Sequence, residues 1–297
     1  MKVFVTGGTG VVGTRAVPAL VAAGHEVTAV ARTPEKAELV RSMGATPVTV
    51  DLFDPAAVKA AVDGHDAVAH LATNIPPLTK AARTKAWETN ERLRTEVSRH
   101  LVDAALATGA TRYVQESICF PYVDHGADWI TEESPLEHSG VFEGAAHAEA
   151  ATARFTAAGG SGVVLRFAQF HGPGSHHVEV FNGLARRRIN PFVGAPDAYT
   201  SFIHADDAGS AVAAALALPA GIYNVGDDEP LTRAEAGLVV AEALGVKPPH
   251  ALPGVARAAS PRSAKALMRS LRISNAKLKG ASGWRPAHPS IRGSWAT

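Results

Sequence analysis

The chain has 297 residues, 46% of them hydrophobic, and a net charge of +1 with histidine neutral. That is enough apolar chain for one large domain or two closely joined ones, and near-neutrality makes no electrostatic case for nucleic acid or an anionic membrane. A single cysteine, Cys119, rules out an internal disulfide, no apolar run approaches a membrane span, and the N-terminus reads as a strand and not a signal peptide, so a cytoplasmic location is expected.

Lys2–Thr6 is a short apolar run of strand character, followed by glycines and a helical pattern over Val11–Ala23. Val27–Ala31 reads as a strand, Pro34–Met43 as a helix with proline in its first turn, Thr46–Asp51 as a strand, Pro55–Val62 as a helix and Asp66–Leu71 as a strand. Lys80–Thr108 reads as one long helix stopped by Gly109. Then come strand Thr111–Ser117, helix Gly140–Ala158 closed by Gly159-Gly160, and strand Gly162–Phe167. The second half is less regular: a Gly/Pro loop over His171–Ser175, helices over Val178–Arg188, Ala205–Leu218 and Thr232–Leu244, a strand at Gly221–Val225, and a tail rich in Arg, Ser and Pro.

This alternation predicts an α/β fold, a doubly wound parallel Rossmann sheet with a smaller interleaved C-terminal substrate-binding region. Residues 1–170 form the expected dinucleotide-binding domain, completed by about residues 204–226, with 171–203 and 227–297 as the substrate-binding region. Ligands on such sheets lie beyond the carboxyl ends of the strands.

Thr6-Gly7-Gly8-Thr9-Gly10-Val11-Val12-Gly13 falls between the first strand and the first helix. Gly7 permits a tight turn, Gly10 lets the backbone approach a pyrophosphate, and Gly13 lets the helix pack closely on the strand. The helix start offers free N–H groups and a positive dipole end, so Thr9, Val11 and Val12 join the expected contacts. At the end of the second strand an NAD site would place a carboxylate on the ribose. Ala31 stands there instead, followed by Arg32 and Thr33, whose guanidinium and hydroxyl suit a 2′-phosphate. NADP(H) is therefore favoured over NAD(H).

Taken together, these and later motifs resemble an extended short-chain dehydrogenase/reductase of the NAD-dependent epimerase/dehydratase family over essentially the whole chain. Thr6–Gly13 matches its T-G-G-x-G-x-x-G, and Asp51-Leu52 the pair that brackets adenine. His70-Leu71-Ala72 match the fourth-strand segment beside the cofactor, and Asn90 the Asn of the long helix. Leu165-Arg166-Phe167 with Gly172-Pro173-Gly174, Ser201–Asp207, Tyr223–Gly226 and Trp284-Arg285-Pro286 match later motifs. The resemblance implies cofactor contacts at Asp51, Leu52, Leu71, Ala72, Thr73 and Gln115, a small-molecule substrate, and a homodimer built on the two long helices.

The family's acid–base pair, a Tyr and a Lys spaced Y-x-x-x-K on one helix, is absent. Alignment on Glu149 puts Val141 at the Tyr position and Ala145 at the Lys position, and the usual strand hydroxyl falls near Ile118. Replacement candidates are Ser117, Tyr122 and Glu116, with Gln169 and His171 toward the substrate. His147 and Glu143 are rotated off the catalytic face, and Arg186-Arg187-Arg188 read as a solvated helix end. No histidine pair has zincin spacing, and no metal is expected. The expected activity is oxidoreduction at a carbonyl or hydroxyl of a small organic or sugar-like substrate. A lyase, isomerase or cyclase using bound cofactor, or a non-enzymatic NADP(H) sensor, are the alternatives.

Overall fold

The computed structural model describes residues 1–77, 80–81, 83–250 and 266–295. Residue 82 of the expected long helix and residues 251–265 of the tail lie outside the described residues. The first half runs β1 (Lys2–Thr6), α1 (Gly13–Ala22), β2 (Glu26–Val30), α2 (Pro34–Ser42), β3 (Thr46–Val48), α3 (Pro55–Val62) and β4 (Ala67–His70). It continues through α4 (Glu88–Arg92), α5 (Ser98–Thr108), β5 (Arg112–Ile118), β6 (Trp129–Ile130), α6 (Glu143–Ala157) and β7 (Ser161–Phe167). After β8 (Gln169–His171) come α7 (His176–Arg186), β9 (Tyr199–Thr200), β10 (Phe202–His204), α8 (Ala205–Ala215) and β11 (Gly221–Val225). The chain then adds β12 (Leu231–Thr232), α9 (Arg233–Ala243), β13 (Arg272–Ile273) and α10 (Ala276–Ser282).

Seven strands form one parallel sheet in the order β11-β7-β5-β4-β1-β2-β3. This is the expected doubly wound sheet. Its strand order reverses between β1 and β4, which opens a crevice at their carboxyl ends. Alternating side chains feed two cores. Val3, Val5, Ala29, Val114 and Leu165 face α1 and α8, while Phe4, Val68 and Tyr113 face α3, α5 and α6. A third cluster around Phe192, Phe202, Val240 and Trp295 holds the C-terminal region.

Three expected elements differ. The long helix is divided: a 3-10 turn at Thr84–Trp87 precedes α4, and a π turn over Leu93–Val97 separates α4 from α5. The buried His70 ring has its Nε2 at 3.1 Å from the Leu93 carbonyl, which fixes the wide turn from the sheet side. Gly109 ends α5 in the left-handed conformation, as expected. The loop expected from His171 begins one residue later, because Gln169–His171 pairs in parallel with Phe202–His204. The third strand stops at Val48, and Asp51 instead folds a turn, its Oδ1 accepting from Phe53 N at 2.9 Å. Among the described residues no helix is long and apolar enough to cross a membrane.

Gly209 carries the α1–α8 contact. A Cβ there would overlap the Arg15 side chain and come within 2.6 Å of the Arg15 backbone carbon. Gly209→Ala is expected to cost about 1–3 kcal/mol as the helices separate. A lowered urea midpoint with unchanged slope is the expected readout, and an unchanged midpoint refutes the contact.

Candidate active site

The glycine turn is shaped by its neighbours. Gly7 has φ +75°, and a Cβ on it would lie 2.5 Å from the Leu71 carbonyl and the Ala72 nitrogen at the end of β4. A Cβ on Gly13 would overlap Gly7 O and lie 2.6 Å from Gly8 Cα, so the α1 start sits directly on the turn. Gly10 closes the turn by donating to Gly7 O at 3.0 Å and is exposed. Among the described residues no side chain caps α1 and no acid stands in its first turn; Thr14 N donates to Gly10 O and Arg15 and Ala16 N to Val12 O, so what the start of α1 adds to the turn is its positive dipole end. These residues fit a dinucleotide pyrophosphate.

On the adenosine side Ala31 is buried, whereas Arg32 and Thr33 are exposed. The Thr33 hydroxyl accepts from Lys36 N at 3.3 Å and caps α2, a local job that sequence reading assigned to a ligand. Leu52 is half-buried against the α3–α5 core, and Arg92 covers Phe53 at 4.1 Å from the ring centre. Leu71 lines the crevice beside half-buried Ala72 and exposed Thr73. Asn90, buried, accepts from Asn74 N at 2.9 Å and orders the segment after β4. Gln115 is fully engaged inside: it accepts from Tyr113 Oη at 3.1 Å and donates to Glu116 O at 2.9 Å, which removes its side chain from the cofactor contacts.

The three candidate catalytic groups are likewise turned inward. Ser117, Arg166 and Asn224 stand side by side on β5, β7 and β11. Ser117 Oγ donates to Glu149 Oε1 at 2.7 Å. Arg166 donates through Nε and Nη2 to the two Glu149 oxygens at 2.9 and 2.6 Å, and through Nη1 to Tyr122 Oη at 2.7 Å. Tyr122 is buried and donates its own O–H to Asn224 Oδ1 at 2.8 Å. Burial, with the nearby Cys119, pushes the Tyr122 pKa up, so this phenol is held protonated inside a closed network. Tyr122 and Ser117 therefore do not reach a substrate as the sequence suggested.

Glu116, the third candidate, is buried in an ion pair: Arg94 Nη2 reaches its two oxygens at 2.9 and 2.7 Å. Burial raises the Glu116 pKa and Arg94 opposes the shift. A carboxylate fixed in this way is not a free base. His171, expected to meet substrate, is fully buried, stacked on Trp295 with centroids 6.0 Å apart and facing Phe202 edge-on. It belongs to the C-terminal core, whereas Gln169 is half-buried beside it. His147, Glu143 and Arg186–Arg188 are exposed, in keeping with their surface assignment.

Sequence reading missed Arg94 and the Arg15 tether, whose Nη2 reaches Pro173 O at 2.7 Å. It also missed the cluster His204, Asp206 and His288, whose ligand-type atoms all lie within 4.8 Å of one another. The two rings stack at 3.8 Å with planes 28° apart, so their in-plane lone pairs do not meet at one point. His204 Nδ1 accepts from Asp206 N and caps α8, Arg15 sits on Asp206 at 3.2 Å, and His288 bonds Asp207 at 3.1 Å. The cluster clamps the C-terminal segment to α8.

The sequence pattern of the NAD dependent epimerase/dehydratase family matches residues 3–226. The chain is 35% identical over 307 aligned positions, 98% of each protein, to a 3-diazoavenalumate denitrifying reductase of a Streptomyces species. It superposes on UDP-glucose 4-epimerase of Thermus thermophilus in complex with NAD with a TM-score of 0.79, 26% identity and coverage of 100% of this chain and 97% of that one. The dTDP-glucose 4,6-dehydratase of Streptomyces venezuelae, solved with NAD, superposes with a TM-score of 0.80 at 22% identity, covering 100% and 95%.

Burial lowers the His70 pKa to about 4. A carbonyl only accepts, so Nε2 carries the proton toward Leu93 O and Nδ1 accepts from Thr6 Oγ1 at 2.7 Å. In the unfolded chain histidine titrates near 6.5. Below that pH the unfolded state takes a proton the folded state refuses, so stability falls with pH until about 4 and then levels. The contribution reaches about 2 kcal/mol by pH 5. Urea unfolding at pH 7 and pH 5 should show a smaller acid loss in His70→Gln than in the parent, and equal losses would remove His70 from the account.

Proposed function

The chain belongs to the NAD dependent epimerase/dehydratase family, and from that premise we propose that it is an NADP(H)-dependent reductase whose substrate takes hydride without a proton from the protein, the target being a carbon-bound diazonium group. The carrying observation is the closed network: the hydroxyls of Ser117 and Tyr122 are both engaged in it, as is Glu149. The aligned acid–base positions hold only the hydrocarbon side chains of Ile118, Val141 and Ala145.

Gly7, Gly10, Gly13 and the uncapped start of α1 hold the pyrophosphate, and Asp51, Leu52, Leu71, Ala72 and Thr73 border the rest of the cofactor. Arg32 is exposed at the end of β2 with no carboxylate at Ala31, which supports the phosphorylated cofactor although the solved neighbours carry NAD. When bound, reduced nicotinamide supplies hydride. Reduction of a carbonyl leaves an alkoxide that must be protonated. Reduction of a diazonium does not: the hydride pair becomes the new C–H bond, the C–N pair leaves with dinitrogen, and the positive charge of the substrate is cancelled. The name of the Streptomyces relative joins a diazo substrate to loss of nitrogen. Hydrocarbon at positions 118, 141 and 145 keeps water from competing with hydride for the reacting carbon.

With 4-methoxybenzenediazonium and C4-deuterated NADPH, the enzyme should release dinitrogen and leave deuterium in the arene faster than cofactor alone. Equal rates with and without protein would overturn the reading. Ser117→Ala and Tyr122→Phe should keep kcat within about threefold, where loss of a working proton donor typically costs about 10²–10⁴-fold. Arg32→Ala should weaken NADPH binding by about 10- to 100-fold and leave NADH nearly unchanged, as fits a lost charge-assisted contact. Equal effects on the two cofactors would remove the phosphate assignment.

A further inference from the structure

We propose that Arg94, presented by the π turn, is the donor that holds the nicotinamide ribose, from the helix opposite the one that lacks the family's lysine. The inference rests on the cofactor assignment and is independent of the substrate.

Its first support is position. The adenosine half lies toward the ends of β2 and β3, at Ala31 and Asp51, so a cofactor centred on the α1 start must run its other half across β4 toward β5. The guanidinium of Arg94 lies on Glu116, two residues before the end of β5. The Arg94 Cβ is 3.0 Å from where a Cβ on Gly144 would stand, one residue before Ala145. Arg94 thus spans the gap between β5 and the part of α6 whose catalytic positions are hydrocarbon.

Its second support is an unmet donor. The Arg94 side chain is only 3% exposed, and its contacts to Glu116 all run through Nη2. Nη1 is buried with no hydrogen-bond partner among the described residues. An N–H without an acceptor in the interior is costly, and a cofactor ribose presents hydroxyls that need a donor. Ser117 and Tyr122 are committed elsewhere. The π geometry accounts for the aim: it widens the helix at Leu93–Val97, where His70 holds the Leu93 carbonyl, and turns Arg94 toward the sheet. Glu91 Oε2 accepts from Gly144 N at 3.2 Å and keeps α6 against this turn.

The test compares two ligands on two variants. Arg94→Met/Glu116→Leu removes both charges together, so no lone charge is buried; Arg94→Lys keeps the ion pair and removes the second donor. Calorimetry with NADPH and with adenosine 2′,5′-bisphosphate, which lacks the nicotinamide ribose, separates a ribose contact from a structural role. The double variant should bind NADPH about tenfold more weakly and Arg94→Lys several-fold more weakly, with adenosine 2′,5′-bisphosphate unchanged in both. Unchanged NADPH affinity in either folded variant, or equal loss for both ligands, overturns the proposal. If NADH proves the tighter cofactor, NADH and ADP are the probes, so failure of the phosphate assignment leaves this test standing.

Discussion

Arg166 is the charge around which the interior of the carboxyl end is arranged. It stands on β7, between β5 and β11, with a side chain 3% exposed. A buried guanidinium stripped of its partners costs several kcal/mol, so its donors must find acceptors within the fold. Glu149 from α6 takes two of them and Tyr122 a third. Each partner is then completed in turn: Glu149 by Ser117, and Tyr122 by Asn224, whose backbone N–H donates to Glu132 Oε1 at 2.7 Å. One charge therefore fixes the direction of both hydroxyls near the ends of three adjacent strands.

The cofactor seat is built from different material and is untouched by this arrangement. In the proposed seat Gly7, Gly10 and Gly13 contribute backbone and the absence of a Cβ, and the N-terminus of α1 contributes the positive end of its dipole. Side-chain chemistry elsewhere in the crevice can change without cost to such a seat. That is why a chain can keep a glycine turn of family type while the positions aligned with the family's Tyr and Lys hold Val141 and Ala145.

Much of the fold was legible because its signals are local. The strand–glycine–helix succession at Thr6–Gly13, the stop at Gly109 and the alternation of short apolar runs each follow from a few neighbouring residues. The π turn was not legible, because its cause is a contact across the fold, between the ring of His70 and the carbonyl of Leu93. The site was legible in its backbone half and misread in its side-chain half. Thr33 looked like a phosphate ligand and is a helix cap; Ser117, Tyr122 and Glu116 looked available and are paired. One signal was present and unused. Arg94 falls four residues after Asn90, inside the buried stripe Asn90–Leu93–Val97–Leu101, and Glu116 is the one acid of the largely buried strand Arg112–Ile118. Two opposite charges inside two buried patterns are most simply read as partners.

The two ion pairs flank β5 in opposite directions. Glu116 turns to Arg94 on the π turn, and its neighbour Ser117 turns to the Glu149–Arg166 pair on α6 and β7. Each pair is internally compensated, so its field falls off quickly beyond the pair itself. A carbonyl reductase needs the reverse: donors aimed at an oxygen where negative charge develops. A reaction that begins with a cationic substrate and ends with a neutral product creates no such charge. Compensated pairs, hydrocarbon at the aligned acid–base positions and an intact glycine turn are the features on which the proposed hydride delivery, to an electrophile that brings its own driving force in the nitrogen it releases, rests.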